Sequence, residues 1–197
     1  MDRLTLSPLE DPRIPQVYEV LTKAYTGNPA HIALFGRDNF AVNDRLFRII
    51  LKDTDSTLYA ARSAGRIVGV AGIARHTDPA SSRLNQLPFT AASLGATETV
   101  IACLQERQAV WAKMEPSEPH VHVGPVAVLP DRQRSGIGSS LMDHCCRIVD
   151  RQGELSYLET DGEENLRFYE RFGFEVTDQA TLFGVPNYFM TRRPRGT

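Results

Sequence analysis

Apolar side chains recur at helical spacing in three parts of the chain. Between residues 14 and 24 they fall three or four positions apart, which predicts an amphipathic helix. The same spacing predicts a helix over residues 39–51, with Phe40 among its buried positions, and another from Val100 to just before Pro116. These segments are the predicted helices of the N-terminal part.

Between the second and third of these helices, the pattern changes to that of β-structure. Residues 57–61 and 66–73 are rich in strand-forming residues, and Ser63-Ala64-Gly65 between them favours a tight turn, which predicts a β-hairpin. Residues 76–95 contain many turn-forming residues, so we expect a lid-like insertion there. The alternation of patterns predicts one α/β domain.

A β-rich run at residues 121–129 is followed at once by a turn and a helical pattern. Gly136 and Gly138 lie where the strand gives way to the helix. The first amides of a helix lack internal partners and carry partial positive charge, and glycine lets a phosphate approach them closely. Arg132 and Arg134 would add charge-assisted hydrogen bonds. The segment therefore predicts a phosphate-binding turn, although such turns also occur merely to pack a helix on a strand.

This turn matches neither of two common nucleotide-binding motifs. A P-loop needs Gly-Lys-Ser/Thr, and a dinucleotide fold needs a third glycine, neither of which follows here. Gly124-Pro125 interrupts the preceding strand, because proline has no amide hydrogen for a regular ladder. We expect the strand to splay from its neighbour, which would free the backbone of Val126, Ala127 and Val128 for an extended, amide-bearing ligand such as pantetheine.

Composition narrows the class of protein. The 197 residues include 22 Lys plus Arg and 24 Asp plus Glu, a net charge of −2 that does not support nucleic-acid binding. The N-terminus does not resemble a signal peptide, and no apolar run approaches the ~20 residues of a membrane helix. Three cysteines, two of them adjacent, argue against a disulfide framework, and no Cys-x-x-Cys or His-x-x-x-His spacing indicates a metal. We expect a reduced, cytoplasmic protein with no metal.

Residues 126–138 resemble the CoA-binding motif of the GNAT superfamily of N-acetyltransferases. Gln133, Arg134, Gly136 and Gly138 match the Gln/Arg-x-x-Gly-x-Gly/Ala pattern that follows a strand in that superfamily. The motif supplies the first half of the resemblance.

The resemblance continues through the next strand, helix and strand, and it covers roughly residues 120–193. The last third is most similar to the puromycin N-acetyltransferase group. The resemblance implies acetyl-CoA as co-substrate and a mixed, mostly antiparallel sheet with splayed central strands flanked by helices. The implied cofactor contacts are Val126, Ala127, Val128, Gln133, Arg134, Ser135, Gly136, Ile137, Gly138, Ser139, Asn165 and Tyr169.

The resemblance also makes Tyr169 the candidate general acid, which would protonate the departing CoA thiolate. Asn165 lies one helical turn earlier on the same face, where it would contact the cofactor. The alternative is that Tyr169 is a core aromatic residue beside Phe168 and Phe172.

The acceptor amine must lose a proton during transfer, so a general base is also expected. His120 and His122 alternate with valines, which places both imidazoles on one face of a strand. Glu159 lies between apolar neighbours, where burial would raise its pKa. We favour Glu159 over His122, and His122 over His120. Three alternatives stay open: an ordered water as base, a solvated His120, and a Glu159 that pairs with an arginine.

Other conspicuous residues receive a structural interpretation. The adjacent cysteines at 145 and 146 are expected in the core. Asp161, Glu163 and Glu164 are expected at a helix N-terminus, where negative charge is favourable, with attraction of a cationic acceptor as a second possibility. The arginines near the C-terminus, Arg192 among them, are expected in a solvated tail.

The sequence thus predicts direct acetyl transfer to a primary amine of a small molecule in a ternary complex. Residues 1–115 would form the acceptor side, and residues 120–193 the acetyl-CoA-binding core of a single domain. The competing hypotheses are a non-catalytic acyl-CoA sensor and an acetyltransferase that acts on protein amino groups. No nucleic-acid or membrane partner is expected, and the sequence leaves open both the acceptor and the choice between monomer and homodimer.

Overall fold

The computed structural model describes residues 4–53, 56–77 and 86–195. Seven strands in this part of the chain form one sheet, in the order β1-β2-β3-β4-β5-β7-β6. The strands are β1 (Thr5–Pro8), β2 (Thr57–Ser63), β3 (Arg66–His76), β4 (His120–Val128), β5 (Ser156–Asp161), β6 (Glu175–Leu182) and β7 (Val185–Arg192). The helices are α1 (Pro15–Thr26), α2 (Pro29–Phe35), α3 (Phe40–Asp53), α4 (Ala91–Leu94), α5 (Glu98–Met114), α6 (Ile137–Gln152) and α7 (Glu163–Glu170). None of the described helices is both long and apolar enough to cross a membrane.

The sheet is antiparallel except between β4 and β5, and there the two strands separate. Within the described residues they share two pairs, Val121 with Ser156 and His122 with Tyr157. Beyond these pairs β4 follows β3 and β5 follows β7. The predicted splay at Gly124-Pro125 is therefore confirmed, and it opens a V-shaped cleft in the middle of the sheet.

Gly72 on β3 explains how β4 can deviate at this point. A Cβ atom at position 72 would collide with the carbonyl of Gly124, so a side chain there would push β4 away. The register between β3 and β4 also shifts between Ala71 and Ile73. The absence of a side chain at Gly72 therefore allows Gly124 to approach β3 closely, and this contact changes the direction of the second half of β4.

The core has two parts. In the larger part, α1 and α6 pack against β3 and β4, and Cys145 lies fully buried there, as the sequence predicts. Burial raises the pKa of the Cys145 thiol to about 12, so this cysteine is inert as a nucleophile. The smaller part lies among α2 to α5 and consists of Leu34, Leu46, Leu87, Phe89, Leu94, Ile101 and Leu104. Leu46, Leu87 and Phe89 of this part also border a side pocket described below.

The predicted helices and hairpin are confirmed, with two corrections. Phe40 is 49% exposed instead of buried, because it begins α3 and the core-facing stripe starts later. The predicted insertion over residues 76–95 is partly regular: His76 ends β3, and residues 91–94 form α4 behind the Thr90 cap. Residues 78–85 lie outside the described part, so the lid remains a prediction there.

The C-terminal arginines do not all form a solvated tail. Arg192 is only 3% exposed and binds both carboxylate oxygens of Asp150 at 2.7 Å. Its Nε also donates to the carbonyl of Phe172 at 2.8 Å. The bidentate pair attaches the end of β7 to α6.

Candidate active site

The turn between β4 and α6 presents main-chain amides. Gly136, the residue before the helix, has φ 84°, which a residue with a side chain rarely adopts, and no side chain caps the helix. Ile137, Gly138 and Ser139 form the first turn, so their N–H groups have no partner four residues earlier. This end of α6 is therefore suited to bind an anionic group.

A groove of about 370 Å³ runs along this turn. Most of the predicted cofactor contacts line it: Val126, Ala127, Val128, Gln133, Arg134, Gly136, Gly138, Ser139, Asn165 and Tyr169. Two other predicted contacts, Ile137 and Ser135, do not line the groove with their side chains. The Ile137 side chain is buried in the core, and the Ser135 hydroxyl donates to the carbonyl of Arg132 at 2.5 Å. Their main chain alone is available to a ligand.

The second half of β4 forms one wall of the groove. Leu129 donates its N–H to Val68 on the β3 side. Because strand residues alternate in direction, Val128 and Val126 direct their polar groups toward the cleft. The Gln133 side chain donates to the carbonyl of Val128 at 3.1 Å, which leaves the N–H of Val128 and the carbonyl of Val126 for an extended ligand.

Asn165 and Tyr169 lie together on α7, as predicted. Both line the groove and also an inner cavity of about 210 Å³. Asn165 donates to the carbonyl of Asp161 at 2.9 Å, while the Tyr169 ring packs against Phe168 and Phe174. Burial, assisted by the charge of Tyr25, raises the pKa of Tyr169 well above its usual 10, so its hydroxyl remains a proton donor.

Glu159 and His122 form a buried pair across the point where the sheet splays. His122 Nε2 lies 2.7 Å from a carboxylate oxygen of Glu159, and Glu159 lines the inner cavity. Burial alone would lower the pKa of His122, but the charge and hydrogen bond of Glu159, with the charge of Glu115, raise it above 6.5. The partner of Glu159 is thus a histidine instead of the arginine considered from the sequence.

His120 does not join this pair. It is buried, not solvated, and its Nδ1 lies 2.9 Å from the carbonyl of Glu118. Its Nε2 lies 3.2 Å from the carboxylate of Glu115, which also binds His76 at 2.6 Å. The ligand atoms of His76, Glu115 and His120 lie within 4.8 Å of one another, a spacing compatible with a cation. The sequence did not reveal this group, because its members belong to three elements.

Asp161 has a different role from the predicted one. Its carboxylate accepts hydrogen bonds from Asn28 Nδ2 at 2.8 Å and from the Ala30 amide at 2.9 Å, at the start of α2. It therefore joins α2 to β5, whereas Glu163 and Glu164 do lie in the first turn of α7. Helix α2 itself was missed, although Asn28-Pro29 is a usual cap and first position.

Several residues that the sequence did not single out as site candidates also line the inner cavity, among them Tyr25, His31, Arg107 and Trp111. The same four also border a side pocket of about 100 Å³. Burial, with the charge of Arg107, lowers the pKa of His31 to about 3, so this imidazole is neutral at physiological pH. The inner cavity therefore continues from the CoA-type groove into a partly apolar recess.

Residues 14–174 match the acetyltransferase (GNAT) family. The chain belongs to the GNAT acetyltransferase family. A histone acetyltransferase and related acetyltransferase from Corynebacterium glutamicum has the same fold, with a TM-score of 0.72 at 22% identity over 100% of this chain and 99% of that chain. A Drosophila melanogaster polyamine N-acetyltransferase matches with a TM-score of 0.72 at 14% identity, over 97% and 100%.

A ribosomal-protein alanine N-acetyltransferase from Escherichia coli has a TM-score of 0.58 at 15% identity, over 99% of this chain and 96% of that chain. At these identities the likeness establishes the fold. GNAT enzymes use acetyl-CoA as co-substrate. The free amides of α6 and the glycine at 136 fit a pyrophosphate, and the cleft side of β4 fits an amide-bearing arm.

Proposed function

We propose that this GNAT enzyme transfers acetyl directly from acetyl-CoA to the primary amine of a small molecule. The observation that carries the proposal is that the groove and the inner cavity are contiguous. Both are lined by Val126, Ala127, Val128, Gln133, Asn165 and Tyr169. A thioester at this boundary would meet an amine in the inner cavity, and such positioning accounts for much of the acceleration in a ternary complex.

The main chain and the turn would hold the co-substrate. The amides of residues 137–139 would bind the pyrophosphate, with Arg134 adding charge, and the N–H of Val128 would bind the pantetheine arm. Acetyl-CoA supplies the acetyl group as a thioester. Backbone amides near Val126 would polarise its carbonyl.

Glu159 is proposed to take the proton of the amine. It lines the inner cavity, and His122 orients its carboxylate from the other side. The pair must first lose the proton that His122 holds, because a carboxylate paired with an imidazolium is a weak base. His120 lies apart from the cavity walls described here, so we assign it a positioning role on β4.

Tyr169 is proposed to donate a proton to the CoA sulfur as the carbon–sulfur bond breaks and the carbon–nitrogen bond forms. Its raised pKa keeps that proton available through the neutral range. The amine proton ends on the Glu159–His122 pair, the hydroxyl proton on the thiol, and solvent restores both groups. The balance requires no further reactant.

Two other functions predict different behaviour. A non-catalytic acyl-CoA sensor would have no use for a base buried beside the thioester position. An enzyme for protein amino groups, as the name of the Escherichia coli relative describes, would need room for a peptide chain. An inner cavity of about 210 Å³ is closer in size to a small acceptor.

Release of CoA thiol from acetyl-CoA, measured against a panel of small amines, tests the proposal. We expect amine-dependent release, with initial-rate lines that intersect when both substrates are varied. Glu159→Gln should lower kcat by about 100-fold or more, as expected for loss of a general base. Glu163→Gln is the matched control, since Glu163 forms an exposed ion pair with Arg167 on the surface of α7.

The pH profile separates the base from a structural carboxylate. In the wild type, kcat should rise with pH as His122 loses its proton, with a pKa raised above 6.5, and His122→Gln should remove this rise. Parallel initial-rate lines, or a Glu159→Gln enzyme with wild-type kcat, would contradict the mechanism.

A further inference from the structure

Arg107 and Trp111 are one turn apart on α5, and both line the inner cavity and the side pocket. Residues four apart on a helix share a face. The guanidinium of Arg107 lies over the Trp111 ring, with Cζ 4.8 Å from the ring centroid. This pair therefore forms the wall where the two cavities meet.

Both side chains present hydrogen-bond donors that the described part of the chain does not use. Arg107 is 9% exposed, yet within residues 4–53, 56–77 and 86–195 its guanidinium has no hydrogen bond and no carboxylate within 4.0 Å. The indole Nε1 of Trp111 is also buried without a partner there. Buried donors are almost always paired, and Arg107 lines both cavities, so the two side chains are placed to bind a ligand that accepts hydrogen bonds.

The charge of Arg107 identifies the kind of acceptor atom. Burial lowers the pKa of Arg107 to about 10, while the nearby charges of Glu159 and Asp161 oppose that shift, so the guanidinium is charged at pH 7. A planar, charged fork favours a carboxylate over a neutral oxygen. Because Glu159 and Asp161 line the same cavity, the site offers negative charge for an ammonium and positive charge for a carboxylate.

The side pocket supplies the third element of recognition. Its walls include Leu46, Phe47, Leu87 and Phe89, and its volume is about 100 Å³. A cavity of roughly 150 Å³ with similar walls accommodates benzene. The side pocket therefore suits an aliphatic chain of four or so carbon atoms.

We propose that the acceptor is an α-amino acid with an aliphatic side chain, of which leucine is the test compound. Its carboxylate binds Arg107 and Trp111, its side chain occupies the side pocket, and its amine lies beside Glu159. The inference rests on the proposed acetyl transfer. The product is an N-acetyl amino acid, formed with the proton balance given above.

The proposal can be tested on the wild-type enzyme with three compounds that differ from one another in a single group. Leucine, leucinamide and 3-methylbutylamine share the amine and the side chain, but only leucine has the carboxylate. Because the hydrogen bonds that Arg107 and Trp111 donate to a carboxylate are strengthened by its charge, kcat/KM for leucine should exceed that for 3-methylbutylamine by about 100-fold. Glycine, which lacks the side chain, should also be a poor acceptor.

Two other outcomes would overturn the carboxylate assignment or the inference as a whole. A kcat/KM for leucinamide equal to that for leucine would mean that Arg107 recognises a carbonyl, as at a peptide N-terminus, and would overturn the carboxylate assignment. A kcat/KM for 3-methylbutylamine equal to that for leucine would overturn the inference while leaving the proposed acetyl transfer intact.

Arg107→Gln links the preference to this residue. We expect it to lower kcat/KM for leucine by about 100-fold and that for 3-methylbutylamine far less. Arg48→Gln is the matched control, because Arg48 also stacks on an aromatic ring, that of Tyr18, but lies in an exposed pair with Asp44. Equal losses for both amines would show that Arg107 supports the fold only.

Calorimetry with leucine and CoA-saturated enzyme separates binding from chemistry. If leucine binds, and Arg107→Gln abolishes that binding, but no thiol is released from acetyl-CoA, the pocket assignment stands and the proposed transfer fails. If leucine neither binds nor reacts with the wild type, the inference is wrong whatever the variants do.

Discussion

Protonation of His31 provides a quantitative test of the cavity walls. Asn39 Nδ2 donates to the carbonyl of Thr26 at 3.3 Å, and Asn43 Nδ2 donates to Asn39 Oδ1 at 3.0 Å. Asn43 Oδ1 therefore faces His31 Nδ1 at 2.5 Å and accepts its proton. A backbone carbonyl can only accept, so this series of hydrogen bonds has one possible direction. It places the proton of His31 on Nδ1 and leaves Nε2 as the basic nitrogen.

The magnitude follows from the shift in pKa. Burial is the main reason that the pKa of His31 falls from 6.5 to about 3, with the charge of Arg107 adding to it. Between these values the unfolded chain holds a proton that the folded chain does not, so stability decreases as the pH falls below 6.5. A one-unit difference corresponds to about 1.4 kcal/mol, so acidification from pH 7 to pH 5 should remove about 2 kcal/mol of unfolding free energy.

Urea unfolding at pH 7, 6 and 5 measures this contribution. His31→Asn keeps a donor for Asn43 but removes the titrating ring, so it will be less stable at pH 7 yet should lose about 2 kcal/mol less on acidification. Comparison with the variant cancels the titration of other groups, including His122. A wild-type and a variant that lose the same free energy between pH 7 and pH 5 would refute the assignment of His31 as a neutral buried group.

Three further outcomes are expected. Tyr169→Phe should lower kcat by roughly 10-fold or more, the low end for general acid catalysis because a thiolate leaves readily, and calorimetry should give an unchanged Kd for acetyl-CoA. An unchanged kcat would show that Tyr169 is a core residue without a role in the reaction. Gly136→Ala should cost about 1–2 kcal/mol in urea unfolding, because φ is 84° there, and weaken acetyl-CoA binding; wild-type stability would contradict the turn geometry. Arg192→Gln should cost about 3 kcal/mol, because it removes the bidentate partner of Asp150 and leaves that carboxylate only the Arg195 amide among the hydrogen-bond donors described here. A loss below 1 kcal/mol would show that the pair is dispensable.

Local patterns predicted the strand, the turn and the helix that line the groove well. The strand, turn and helix around Gly136 are encoded by neighbouring residues, and so is the break at Gly124-Pro125. The structure brings the same residues into one groove. A motif of this kind is recognisable because a phosphate-binding turn is made by a single continuous segment of backbone.

The inner cavity depends on contacts between distant segments, and the sequence reveals little of it. Arg107 lies on a helix that packs against α2 and α4, and it is only 9% exposed there. The pair of His122 and Glu159 joins residues on β4 and β5, the two strands that pair in parallel. Burial of Arg192 likewise required knowing that Asp150 lies beside the end of β7.

The splay between β4 and β5 creates a strand edge in the interior of the sheet. An unpaired edge at the rim of a sheet invites another protein chain to add a strand and can lead to aggregation. Here β5 stands across the cleft and closes the approach that a second polypeptide would need, while a single narrow arm can still enter. The fold therefore offers the unpaired backbone groups of a strand edge inside the sheet instead of at its rim. Amide hydrogen exchange at Val128 should slow when the cleft is filled, as it does when a strand gains a neighbour.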